Sequence, residues 1–138
     1  MFTKKIVIVY NALRLFGTGN RMTRLTTHVL DTMHGRPGAG LRLALYRLDG
    51  DARTLLKETS TNDDGRTDGP LLEGSAFLPG EYELVFDVGA YFRALGITPA
   101  QPPFLGTVPV RFGIGDAGSH YHVPLLVSPW SYSTYRGS

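Results

Sequence analysis

The chain contains no cysteine. That absence excludes disulfides, cysteine-ligated zinc, iron–sulfur clusters and thiol nucleophiles together, and it leaves the redox compartment open. Charge is scarce as well: 19% of the 138 residues are Asp, Glu, Lys or Arg against 42% hydrophobic, too apolar a balance for intrinsic disorder. No run approaches the roughly 20 apolar residues that a membrane-spanning helix needs. The G-x-S-x-G elbow of serine hydrolases, the Walker A loop and the Rossmann fingerprint are all missing. One domain of ordinary size fits the length.

The pI near 9.0 does not describe the body of the protein. Lys4, Lys5, Arg14 and Arg21 stand in residues 1–22 without a single acid, which leaves residues 23–138 with ten Lys and Arg against twelve Asp and Glu. No cluster of basic residues interleaves with aromatics, so neither a nucleic-acid nor a membrane partner is expected. In the first segment, Lys4-Lys5 precede Ile6–Tyr10, Ala12, Leu13, Leu15 and Phe16, the outline of a weak signal peptide. Arg14 interrupts it, and Gly17-Thr18-Gly19 is the one small-residue cleavage candidate. We read 1–22 as an N-terminal extension, disordered or a weak signal peptide, and 23–138 as the domain. The expected location is cytoplasmic, with periplasmic export as the alternative if residues 1–19 act as a signal.

From Thr23 onward, short apolar runs are separated by turn signals every eight to twelve residues, the pattern of an all-β two-sheet sandwich. Strands are predicted at Thr23–Asp31, Leu41–Leu48, Leu55–Thr61, Glu81–Val88, Thr107–Ile114 and Tyr121–Val127, with a weaker one between Arg66 and Phe77. Turns fall at residues 35–38, 49–51, 62–65 and 79–80, where Gly, Pro, Asn and Asp gather. One short helix is predicted at Ala90–Leu95, before Gly96.

Without cysteine, chemistry falls to histidine and arginine. In the Tyr121–Val127 strand, Tyr121, Val123, Leu125 and Val127 share one face, so His120 and His122 point away from the core. His28 alternates with Leu25, Thr27 and Val29, and either of its faces could be the buried one. His34, beside Gly35, reads as a surface residue of a turn. Arg66 and Arg136 each offer a planar fork for carbonyl or carboxylate groups. Two readings use this set. His28, His120 and His122 could form a three-histidine zinc site with an open position, or metal-free imidazoles could serve as general base and acid with an arginine steadying negative charge. The second is slightly preferred, because a nearby arginine opposes a dication.

Literal motifs go further than spacing. Leu25-Thr26-Thr27-His28-Val29-Leu30-Asp31-Thr32, Thr61-Asn62-Asp63-Asp64-Gly65-Arg66, and His120-Tyr121-His122-Val123-Pro124-Leu125-Leu126 continuing through Ser128-Pro129 to Tyr132-Ser133-Thr134-Tyr135-Arg136-Gly137-Ser138 resemble the 5-hydroxyisourate hydrolases of the transthyretin-related family. The resemblance runs from about residue 23 to the last residue, and the terminal Tyr-Arg-Gly-Ser is its most specific part. It implies a transthyretin-like sandwich with one short helix, assembled as a homotetramer with active sites where subunits meet. It implies hydrolysis of 5-hydroxyisourate to 2-oxo-4-hydroxy-4-carboxy-5-ureidoimidazoline in urate breakdown, with no cofactor and no metal. By position, the catalytic residues would be His28, Arg66, His122 and Ser138. Tyr135, Arg136, Gly137 and Ser138 would join His28 and Arg66 in binding substrate, with His120 in support. The competing class is a transthyretin-like carrier that holds an aromatic ligand without turnover.

Overall fold

The computed structural model describes residues 23–97 and 100–137; the extension 1–22, residues 98 and 99, and Ser138 lie outside the described residues. In chain order the strands are β1 (Arg24–Thr26), β2 (Val29–Asp31), β3 (Arg36–Pro37), β4 (Arg42–Asp49), β5 (Ala52–Ser60), β6 (Leu72–Glu73), β7 (Gly80–Asp87), β8 (Thr107–Ile114), β9 (Tyr121–His122), β10 (Leu125–Val127) and β11 (Tyr132–Ser133). A 3-10 turn covers Gly74–Ala76, and the helix α1 covers Val88–Ala94.

Two of the strands expected from the sequence are each divided at one place, and the division makes the site. Pro124 has no N–H to give a ladder, so the Tyr121–Val127 segment separates into β9 and β10. Opposite it, Thr27 and His28 separate β1 from β2. The pairing is parallel on both sides of the break, β1 with β9 and β2 with β10. Hydrogen bonds from Val123 N to Thr26 O and from Leu125 N to His28 O, both 2.9 Å, carry it across. The Thr27 hydroxyl donates to Val123 O at 2.7 Å in the gap. The ladders β6-β1-β9 and β11-β10-β2-β3 are thus one layer. The antiparallel sheet β5-β4-β7-β8 is the other, and the fold is all-β, a two-sheet sandwich with one short helix.

Period-two burial builds the core. Leu25, Val29, Leu125 and Val127 face Leu43, Leu45, Tyr82, Leu84, Phe86, Val108 and Val110 across the interior, each side chain of this size contributing about 1.5–3 kcal/mol. The helix starts two residues earlier than its spacing predicts, because the Asp87 carboxylate accepts from Ala90 N at 3.3 Å. It ends at Ala94, and Gly96, φ +83°, turns the chain away just beyond it. Strand β5 begins at Ala52 rather than Leu55: nearly all of this edge strand is exposed, so no alternation marks its start. The weak strand expected after Arg66 contracts to β6. The short β3 and β11 fall in segments too brief to show a period. His34 is tied down more firmly than a surface turn residue. Its ring Nδ1 donates to the buried Asp31 carboxylate at 2.7 Å, and Tyr91 OH donates to the same carboxylate at 2.8 Å. Burial would raise the Asp31 carboxyl, but these bonds outweigh it and hold it below the usual range; burial and Asp31 push Tyr91 up to about 12.

The outer face of the second sheet carries one buried charge. Glu83 accepts from Arg111 Nε at 2.8 Å and from Arg53 Nη1 at 2.9 Å. The Arg111 bond, with Arg53 behind it, overcomes burial and lowers the Glu83 carboxyl. Replacing Glu83→Ala is expected to cost about 2 kcal/mol in urea denaturation at neutral pH, the scale of a hydrogen bond to a charged group. A carboxyl lowered by folding stabilises above its unfolded pKa, and that stabilisation is lost as pH falls through the folded value. The difference between the two proteins should therefore shrink below about pH 4.5.

Candidate active site

The unbroken alternation of residues 25–31 decides what the sequence left open for His28. Leu25, Thr27, Val29 and Asp31 are buried, while Thr26, His28 and Leu30 are half-buried on the other face. His120 and His122 also point away from the core, as their alternation with Tyr121 and Val123 predicts. Because Thr26 stands opposite His122 in the parallel register, its hydroxyl lies 2.8 Å from His122 Nδ1 and 3.4 Å from His120 Nε2.

Arg66 arrives on a loop held by its own side chains and by the strand beneath it. Asn62 Oδ1 accepts from Asp64 N at 2.9 Å and from Arg66 N at 3.2 Å, an Asx-type closure. Asn62 N donates to Arg66 O at 2.7 Å, and Val29 N to Gly65 O at 2.8 Å. Gly65 has φ +76°, and a Cβ there would run into Val29 O, so this close approach of loop to strand requires glycine at residue 65. This seating pairs Arg66 with His28 in a backbone bridge. It also brings Asp64 O within 2.8 Å of His28 Nε2. A carbonyl only accepts, so Nε2 carries a proton, and in the neutral ring Nδ1 keeps its lone pair.

His122 is pulled below the usual histidine value by burial first, then by the charges of Arg66, His28 and His120. His120 is lowered by burial and by Arg24. Both rings are therefore neutral near pH 7 and able to accept a proton. Arg66, His120 and His122 line one open cleft of about 510 Å³ with Arg24, Thr26 and Asp68. Among the described residues no group of three or more His, Asp or Glu is arranged to hold a metal ion. His28 Nε2 and His122 Nδ1 are already committed to Asp64 O and Thr26.

The terminal segment divides. Gly137 N donates to His122 O at 2.7 Å, and a Cβ on Gly137 would stand 2.8 Å from His122 Cδ2; glycine is required because the imidazole packs on the main chain. Arg136 turns the other way. Its guanidinium carbon is 4.1 Å from the centre of the Tyr121 ring, and it lines a separate groove of about 180 Å³ with Tyr135, Phe112 and Val123. The structure thus gathers Arg66, His120 and His122 in one cleft with His28 beside them. It sets Gly137 against His122 and does not bring Tyr135 or Arg136 into that cleft. Sequence reasoning passed over Thr26, Asn62 and Arg24. Thr26 was within reach, since it shares the parity of His28; the Arg24 position needed the register of a parallel pair.

Comparison with known proteins agrees with this architecture. The model of the HIUase/Transthyretin family matches residues 25–137. The 5-hydroxyisourate hydrolase 2 of Rhizobium meliloti (strain 1021) is 64% identical over 115 residues, 83% of this chain and 96% of that protein. The crystal structure of (S)-allantoin synthase superposes with a TM-score of 0.80 at 51% identity; the match covers 85% of this chain but only 44% of that longer one. Sea bream transthyretin in complex with thyroxine superposes with a TM-score of 0.74 at 28% identity, covering 83% of this chain and 94% of the other. A two-layer sandwich with its polar row on a divided parallel pair, matched over nearly the whole described domain, places the chain in the HIUase/Transthyretin family.

Proposed function

We propose that the protein is a 5-hydroxyisourate hydrolase that works by metal-free general acid–base catalysis. The observation that carries this reading is the grouping of His122 with Arg66 in one cleft beside His28, a polar constellation for which an apolar ligand channel has no use. In this mechanism His28 Nδ1 and the His122 ring hold a water between them, and one takes its proton as the oxygen attacks the C6 carbonyl of the substrate. A C–O bond forms, and the oxyanion faces the Arg66 guanidinium. Collapse breaks the N1–C6 bond, the imidazolium returns its proton to the departing nitrogen, and the ring opens to a carboxylate, 2-oxo-4-hydroxy-4-carboxy-5-ureidoimidazoline. His120 supports the row through Thr26. Active sites at subunit contacts of a homotetramer would bring Tyr135 and Arg136 of one copy toward the cleft of another. Exposed Tyr132 and Tyr135 at the layer's edge favour that arrangement.

The test follows the ultraviolet decay of 5-hydroxyisourate, generated by uricase in chelator-containing buffer, with and without the protein. Accelerated decay is expected. Decay at the spontaneous rate from folded protein would leave the carrier reading, and recovery on adding zinc would restore the three-histidine metal site. A second expectation concerns His122. Because Arg66 helps keep its imidazole neutral, Arg66→Gln should move the His122 titration, followed by NMR, upward toward the ordinary value near 6.5. The acid limb of any residual activity should move up with it. An unmoved titration would remove Arg66 from the electrostatics of His122.

A further inference from the structure

The cleft contains a cation that the mechanism above leaves unused. β1 and β9 run in parallel with Leu25 opposite Tyr121 and Thr26 opposite His122, so one step back along both strands sets Arg24 level with His120. Arg24 has the parity of Thr26 and His28, and it lines the cleft together with Arg66, His120 and His122. The His120 ring bonds to the Arg24 main chain, and the Arg24 charge disfavours protonation of that ring.

Among the described residues the Arg24 guanidinium has no ion-pair partner. The ion pairs among the described residues join Asp31 to His34, and Glu83 to Arg53 and Arg111; none includes Arg24. Glu73 is its cross-strand neighbour on β6 without an ion pair. Asp68, also on the cleft wall, accepts from Asn62 Nδ2 at 3.0 Å. The two arginines address different histidines, Arg66 acting on His122 and Arg24 on His120. Along the row, Arg24 stands level with His120 and Arg66 stands beside His28, and both line the cleft.

We infer that Arg24 is a second substrate-anchoring residue, binding an acceptor edge of a planar, carbonyl-rich and anionic heterocycle at the His120 end while Arg66 serves the reacting carbonyl at the His122 end. This rests on the hydrolase reading and adds to it a determinant of affinity. A fork of parallel N–H donors suits two neighbouring carbonyl or deprotonated imide atoms. Since Arg24 faces His120 and not the space between His28 and His122, its contribution is made equally to bound substrate and transition state, and it appears in KM rather than kcat.

The experiment compares wild type, Arg24→Gln and Arg24→Lys with 5-hydroxyisourate formed in place by uricase, over a range of sodium chloride concentrations. Arg24→Gln should raise KM roughly tenfold, the scale of one lost charged hydrogen bond, and change kcat by less than about twofold. Its KM should depend less on salt than that of wild type, and Arg24→Lys should recover much of the affinity. A wild-type KM and salt dependence in Arg24→Gln, or a fall in kcat at constant KM, overturns the assignment. Wild-type protein without turnover would remove the hydrolase reading and this proposal together, whereas wild-type turnover with an unaltered Arg24→Gln KM removes this proposal alone.

Discussion

His122→Asn is expected to lower kcat/KM by about 10²–10⁴-fold, the usual share of a general acid or base. Asparagine approximates the outline of the imidazole near the backbone and offers an oxygen or a nitrogen to the Thr26 hydroxyl, which lies 2.8 Å from His122 Nδ1 in the native protein. What it lacks is a nitrogen that can take and return a proton near pH 7. The main-chain bond from Gly137 N to His122 O does not depend on the side chain, so the terminal segment should keep its place and the unfolding transition should move little. The loss should fall mainly on kcat. Steady-state kinetics with enzymatically generated substrate, read beside a urea titration, separates lost chemistry from lost fold. An unchanged kcat/KM would remove His122 as the base and shift that role to His28.

Gly65→Ala should damage both stability and turnover, although residue 65 touches no substrate in the proposed mechanism. Its φ of +76° costs an L-residue roughly 1–2 kcal/mol. In addition, the new methyl would meet Val29 O and come within 3.1 Å of Pro37 Cβ. Both neighbours belong to the main chain or a proline ring, so the loop itself must move outward. The bonds from Val29 N to Gly65 O and from His28 Nε2 to Asp64 O would stretch together, carrying Arg66 away from His122. We expect a loss of about 3 kcal/mol or more in urea denaturation, and about 10²-fold in kcat/KM, as follows from a displacement near 1 Å. Gly50→Ala is the control. Its φ is +60° but nothing lies within 4 Å of the added carbon, so it should pay only the conformational cost and leave activity intact. Equal behaviour of the two variants would refute the seating of the loop on the strand.

Different parts of the molecule were open to sequence reasoning to different degrees. β8 has the limits its alternation predicts, and the facing of His120 and His122 follows from the apolar residues between them. His28 did not yield to the same argument because Thr27 and Asp31 are polar yet buried, which removes the hydrophobic contrast on which parity relies. Their burial is made possible by bonds to Val123 O, His34 and Tyr91, all from elements distant in sequence or from a turn. Arg66 could be singled out as a residue after an Asn-Asp-Asp-Gly turn, but its approach to His28 depends on which strand that turn rests upon. Local composition carries no such information. The terminal motif shows the opposite limit: its residues resemble one functional unit, while the fold of a single chain sends Gly137 to His122 and Arg136 to Tyr121.

The proton on His28 is assigned by a main-chain atom. Asp64 offers its carbonyl to Nε2 and leaves its carboxylate exposed, so what matters at this position is the path of the backbone and not the side chain it bears. Replacing the Asp64 side chain should therefore leave the His28 tautomer in place, provided Asn62 and Gly65 preserve the turn.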